Sequence, residues 1–207
     1  MIQTNLGVAL SFVGANSDRK TLRKAISALQ NSLIIYDESQ EPVFWRKAKS
    51  ALGRAQMFLG EMEDGSQSLR KAVVTLQDCL QVTSRSRAPR EWQTMMHNLG
   101  MSLLKLGERE EDIKRLGEAR NTLEELLTDL TSAVAPTEWV NATINLACAL
   151  RLLGELGNQI NLIKQSIDRL KQALPVITPT SDRTGYALIR LNIAKAYLSY
   201  ARKLVTA

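Results

Sequence analysis

Apolar residues in this chain recur at three- and four-residue steps almost from end to end. Nowhere does the period-two alternation of a strand persist. The most regular stretch covers residues 89–127, PREWQTMMHNLGMSLLKLGEREEDIKRLGEARNTLEELL. Trp92, Met95, Leu99, Leu103 and Leu106 make one helical stripe, and Ile113, Leu116, Ala119, Leu123, Leu126 and Leu127 make a second. Pro89 suits the opening turn of the first helix, where a missing N–H costs nothing. Gly107 suits its end, in a positive-φ conformation. Glu110, Glu111 and Asp112 place negative charge at the positive end of the second helix. The small residues Gly100 and Ala119 fall where the two helices should cross closely. The same reading along the chain predicts helices over about 2–13, 18–37, 43–59, 66–84, 90–106, 111–132, 137–153, 159–174 and 182–204.

This two-helix stretch is one copy of a repeat. Asn98-Leu99-Gly100 has counterparts at Asn5-Leu6-Gly7, Ala51-Leu52-Gly53, Asn145-Leu146-Ala147 and Asn192-Ile193-Ala194, at intervals of 46, 47, 47 and 47 residues. A second glycine follows seven residues after the first, at Gly14, Gly60, Gly107 and Gly154, with Ala201 in the last copy. Leu22/Ala25/Leu29, Leu69/Ala72/Leu76, Leu116/Ala119/Leu123 and Ile163/Ser166/Leu170 mark the second helices. Pro42, Pro89 and Pro136 open units, each followed three residues later by a tryptophan: Trp45, Trp92 and Trp139, with Tyr186 in the fourth place. Phase-locking to the core stripe makes these aromatics packing residues.

A hairpin of this size cannot bury both faces alone, so neighbouring units must stack. The expected fold is all-α: an antiparallel helix-hairpin solenoid of about nine helices over 1–207, without separate domains. Its units are 1–41, 42–88, 89–135 and 136–182, with a terminal helix over 183–207. The first unit begins inside its opening helix. In the terminal helix Leu188, Leu191, Leu198 and Val205 line a second apolar face. A capping helix should be polar outside, which leaves two expectations: an arm of a larger protein, or ends that meet another copy.

The marks NLGxxLxxLGE and LxEA, standing here as Asn98-Leu99-Gly100, Leu103, Leu106-Gly107-Glu108 and Leu116-Gly117-Glu118-Ala119, resemble the tetratricopeptide repeat. The resemblance covers about residues 1–204, with a period of 47 in place of the usual 34. It resembles the long-repeat variety found in bacterial proteins, where units carry PxxWA, NLG and LGER marks. Trp45, Trp92 and Trp139 sit one helical turn earlier than that family's usual aromatic. The resemblance implies a protein–protein interaction scaffold, commonly an arm of a signalling, regulatory or effector protein.

It also implies a concave groove lined by first-helix residues one before and three, six and seven after the asparagine position. In the first unit these are Thr4, Val8, Ser11 and Phe12. Next come Ser50, Arg54, Met57 and Phe58, then His97, Met101, Leu104 and Lys105. Ile144, Cys148, Arg151 and Leu152 follow, and Leu191, Lys195, Leu198 and Ser199 in the last helix. With Lys47 one turn earlier, that set has five basic residues and no acidic one, beside Phe and Met anchors. Such a groove suits an acidic or amphipathic peptide. The asparagine ladder Asn5, Asn98, Asn145 and Asn192 is broken by Ala51. It implies either amides that bond a ligand backbone or bonds between neighbouring units. The family's two-carboxylate clamp needs Lys and Asn where this chain has Thr4 and Val8, or His97 and Met101, so chaperone-tail binding is not expected.

Composition adds little that changes this picture. The net charge of +6 permits an acidic protein or nucleic-acid partner. The one local basic knot is SRSRAPR over 84–90, in a single inter-unit turn. Its counterparts YDESQE (36–41) and TSAVA (131–135) are acidic and neutral, which makes nucleic acid the weaker alternative. Cys79 and Cys148 form no CxxC and read as reduced residues of a cytoplasmic protein. LGVALSFVGA at 6–15 lacks a basic segment before it and keeps the repeat register, so it is read as helix, not signal peptide. No apolar run reaches the length of a membrane span. A single histidine, no HExxH, no GxxxxGK after a strand and no GxSxG leave no catalytic, metal or cofactor site to expect.

Overall fold

The structure is a computed structural model and describes Gly7 and residues 18–205. Among the described residues there are eight α-helices and no strand: α1 (Arg19–Ile35), α2 (Pro42–Met62), α3 (Gln67–Gln81), α4 (Pro89–Glu110), α5 (Ile113–Asp129), α6 (Pro136–Leu156), α7 (Ile160–Ala173) and α8 (Arg183–Val205). A 3-10 turn, Leu174–Val176, follows α7. The protein is therefore an all-α helical repeat. The helix expected over 2–13 lies outside the described residues except for Gly7, which is helical and buried. Thr4, Asn5, Val8, Ser11 and Phe12 lie outside them as well.

The chain divides into two compact units, Met1–Lys105 and Leu106–Ala207, and the division falls inside α4 instead of between repeats. In the first unit α2 packs on α1 and α3. Leu29 of α1 joins Ala51, Leu52 and Ala55 of α2 in a buried cluster. In the second unit α6 packs on α5, α7 and α8, and α8 also packs on α7. Val140, Ala147, Ile167, Leu170, Ile189 and Ala196 belong to one core there, with Trp139 and Tyr186 against it.

Each hairpin is drawn together by glycine against leucine. A β-carbon on Gly53 would lie 2.6 Å from Cγ of Leu76, and one on Gly60 2.7 Å from Cγ of Leu69. Two glycines seven residues apart thus meet two leucines seven residues apart in reverse order, as an antiparallel pair at very close approach requires. In the second unit Gly107 meets Leu116 and Gly154 meets Ile163 in the same way, at 2.8 and 2.6 Å. Gly7 lies against Leu29.

These contacts correct the expectation that Gly107 ends its helix at positive φ. No described glycine has positive φ. α2, α4 and α6 run on to Met62, Glu110 and Leu156, past Gly60, Gly107 and Gly154. The left-handed residues are Glu111 (φ 50°) and Asn158 (φ 51°), at the same place in successive repeats. Beyond them the N–H of Asp112 donates to the carbonyl of Gly107, and that of Gln159 to Gly154, both at 2.9 Å. That closure satisfies the last carbonyls of the helix with a six-residue turn. The glycines were selected by helix–helix contact, not by the turn. Asp112 then caps α5, its carboxylate accepting from the N–H groups of Lys114 at 2.8 Å and Arg115 at 3.2 Å.

Candidate functional site

The first helices of the repeats, α2, α4, α6 and α8, carry the candidate residues, and a recurring first turn sets their phase. Trp45 N–H donates to the Glu41 carbonyl at 3.0 Å, Trp92 to Ala88 and Trp139 to Ala135 at 2.9 Å, and Tyr186 to Asp182 at 3.0 Å. Residues at equal distance from this turn therefore occupy equivalent places. The tryptophans themselves pack. Trp92 is buried with the Arg85 guanidinium 4.7 Å from its ring centre, and Lys49 lies 5.1 Å from that of Trp45. One arginine of the 84–90 knot is thus seated on an aromatic ring, and the Ser84 hydroxyl accepts from the Arg87 N–H at 3.2 Å within the same turn.

In the first unit α2 and α4 are tied at both ends. Arg46 Nε meets Glu91 at 3.2 Å near their N-termini, and Lys105 Nζ meets Glu61 at 3.8 Å near their C-termini. Lys47 is exposed, whereas Arg54, Phe58, His97, Met101 and Lys105 are half-buried. Met57 is in the core, 1% exposed, so this predicted anchor packs between helices. Leu104 is buried too. Burial holds the His97 imidazole below its ordinary range and lowers the Arg54 guanidinium, because a charged form loses hydration there. Asn98 is 6% exposed, and its Nδ2 is buried without a hydrogen-bond partner.

In the second unit Asn145 and Arg151 are half-buried and Lys195 is exposed. Arg151 Nη1 bonds both oxygens of Glu155, at 2.8 and 2.9 Å, and the Ser199 hydroxyl donates to the same carboxylate. Cys148 Sγ donates to Asn192 Oδ1 at 3.1 Å, and Asn192 Nδ2 donates to the Leu188 carbonyl at 2.9 Å. At Asn192, then, the ladder amide is a structural bond between adjacent first helices.

No protein-family model matches the sequence, and no curated protein matches it either.

The groove positions are not of one sign. Glu61 and Glu155, ten residues after the asparagine position, face Lys105 and Arg151. The signal for them was present in the sequence, since Glu61, Glu108 and Glu155 recur with the LGE mark. The groove positions implied by the tetratricopeptide resemblance end seven residues after the asparagine and leave them out. With these carboxylates counted, cations outnumber acids on the first-helix face of the first unit, Lys47, Arg54 and Lys105 against Glu61, but not of the second, where Arg151 and Lys195 stand against Glu108 and Glu155. Among the described residues no group of His, Cys, Asp or Glu side chains could hold a metal ion, and no helix is long and apolar enough to cross a membrane.

Proposed function

We propose that this chain is a tetratricopeptide-like interaction scaffold of the cytoplasm. It takes an acidic or amphipathic segment of a partner protein along the face of its first helices. The observation that carries the reading is Asn98. Its repeat counterpart Asn192 bonds a side chain on the preceding first helix, namely Cys148. The counterpart of Cys148 beside Asn98 is Arg54, which only donates and so offers the Asn98 amide N–H no acceptor. A buried amide N–H without an acceptor is a costly arrangement, worth about 1–3 kcal/mol. A ligand carbonyl or carboxylate would supply the acceptor. Lys47, exposed on α2, favours a carboxylate-bearing segment. Met101 and Phe58, half-buried, offer the adaptable apolar contact.

The test is selection from a peptide-display library on the wild-type protein and on Asn98→Ala and Lys47→Glu variants. Enriched sequences should be rich in Asp and Glu between apolar residues. They should bind about tenfold more weakly to either variant. Enrichment without acidic bias, or binding indifferent to both substitutions, refutes the reading.

A further inference from the structure

Two inter-repeat turns of the first unit share one backbone frame and carry opposite charge. The Glu41 N–H donates to the Asp37 carbonyl at 2.8 Å, and one repeat later the Ala88 N–H donates to that of Ser84 at 2.9 Å. The first turn holds Asp37, Glu38 and Glu41 and no cation; the second holds Arg85, Arg87 and Arg90 and no acid. One charge of each group is engaged locally. The Asp37 carboxylate accepts from the Ser39 N–H at 2.8 Å, and the Arg85 guanidinium lies over the Trp92 ring. Glu38, Glu41, Arg87 and Arg90 are exposed, and among the described residues their side chains make no ion pair or hydrogen bond.

The Arg46–Glu91 ion pair holds the starts of α2 and α4 together at 3.2 Å, so the turns that lead into them stand side by side on one edge. That pair and Lys49–Asp78, at 3.3 Å, cancel the neighbouring charges, and exposed Lys47 belongs to the first-helix face. Apolar surface accompanies the charge. Ile34 and Ile35 precede the acidic turn, 83% and 68% exposed, and Val82 precedes the basic turn, 39% exposed. This exposure belongs to the repeat itself, because Thr128 and Asp129 at the same places in α5 are exposed too. A polyanion on this edge would meet repulsion from the acidic turn, and a polycation from the basic one. A negative and a positive turn one repeat apart are instead their own complement under a twofold rotation. The net charge of +6 opposes approach of two copies at long range, but a screening length of about 10 Å at 0.1 M salt leaves the charges at the contact to decide.

We propose that this edge pairs with a second copy of the chain about a twofold axis, Glu38 and Glu41 of each copy facing Arg87 and Arg90 of the other. Ile34 and Ile35 then pack beside Val82 of the second copy. The edge is separate from the first-helix groove, and neither reading depends on the other.

The experiment is sedimentation of the 207-residue chain at an ionic strength of about 0.1 M, with two double variants, Glu38→Lys with Glu41→Lys and Arg87→Glu with Arg90→Glu. Wild type should dimerise with a dissociation constant of about 10 μM. Each variant alone sets like charges together at both contacts and should dimerise about tenfold more weakly or less. Mixed in equal amounts, the two variants regain opposite charges at both contacts and should form a heterodimer as tight as the wild-type dimer. The four positions are exposed, so circular dichroism should show both variants folded. Should one unfold, Glu38→Lys and Arg87→Glu alone replace the pairs in the same mixture. A wild-type chain still monomeric at about 100 μM overturns the proposal. So does a dimer that both variants form unchanged, which would place the contact elsewhere, or a mixture that associates no better than its components.

Discussion

The hydroxyl of Thr75 donates a 2.8 Å hydrogen bond to Oε1 of Gln56 across the α2–α3 hairpin, with both side chains buried. In the next two repeats the place of Gln56 belongs to Leu103 and Leu150, so the polar pair is a local choice and not a demand of the fold. Thr75→Val strands the buried amide oxygen and should destabilise the protein by about 1–3 kcal/mol. Adding Gln56→Leu should recover most of that loss. Urea unfolding of the two singles and the double closes a mutant cycle, and strictly additive effects would show that the bond contributes nothing.

Glycine substitutions should split by neighbour. A β-carbon on Gly60 would lie 2.7 Å from Leu69 Cγ and 2.9 Å from the Leu69 backbone nitrogen, so Gly60→Ala should destabilise by about 1–3 kcal/mol despite alanine's helix propensity. Gly117, inside α5, has nothing within 4 Å of that point, and Gly117→Ala should gain about 0.5–1 kcal/mol. Glu111, at φ 50°, should gain about 1 kcal/mol from Glu111→Gly. Thermal denaturation of the three variants reads the signs directly.

Protonation of His97 should loosen the fold. Burial lowers its folded-state pKa below the ordinary 6.5, so the unfolded chain takes up the proton first. Stability is then fully present above pH 6.5 and falls as the pH drops below it. Because the chain has one histidine, its ring proton resonance in NMR reports the folded-state titration without assignment. A His97→Gln variant should lose this part of the pH dependence. An imidazole midpoint above 6.5 would contradict the sign.

Cys79 should behave as an inert thiol. Burial pushes its pKa from 9.0 to about 11, outweighing the hydrogen bond from Thr83 and the nearby Lys49 and Arg46 charges, which lower it. At pH 8 a thiol reagent should label half-buried Cys148 well before Cys79 in the native protein, and both alike in urea. Between pH 9 and about 11 the unfolded state ionises this thiol while the folded state keeps it, so stability declines through that window. Cys79→Ala should flatten the decline, and equal native labelling of the two cysteines would refute the burial argument.

The helices and the repeat were legible because hydrophobic periodicity and the proline–tryptophan spacing are local. Their ends were less so. Gly107 fits a turn on sequence grounds, yet its conformational freedom goes unused; what it supplies is the absence of a side chain opposite Leu116. Nothing within α4 distinguishes those two uses, because the deciding atom sits on another helix. The surface was harder still. Met57 has the composition of a ligand anchor but lies in the core, and Lys105 and Arg151 meet carboxylates contributed from Glu61 and Glu155. Charge read residue by residue carries no account of what stands opposite.

In the second unit α8 is held by α6, α7 and the 3-10 turn, elements that immediately precede it in the chain. Contacts confined to chain neighbours give a mechanical behaviour unlike that of a domain whose first and last strands are stitched together. Tension on the C-terminus would peel α8 away while the α6–α7 hairpin stayed folded, in a graded extension without one abrupt rupture.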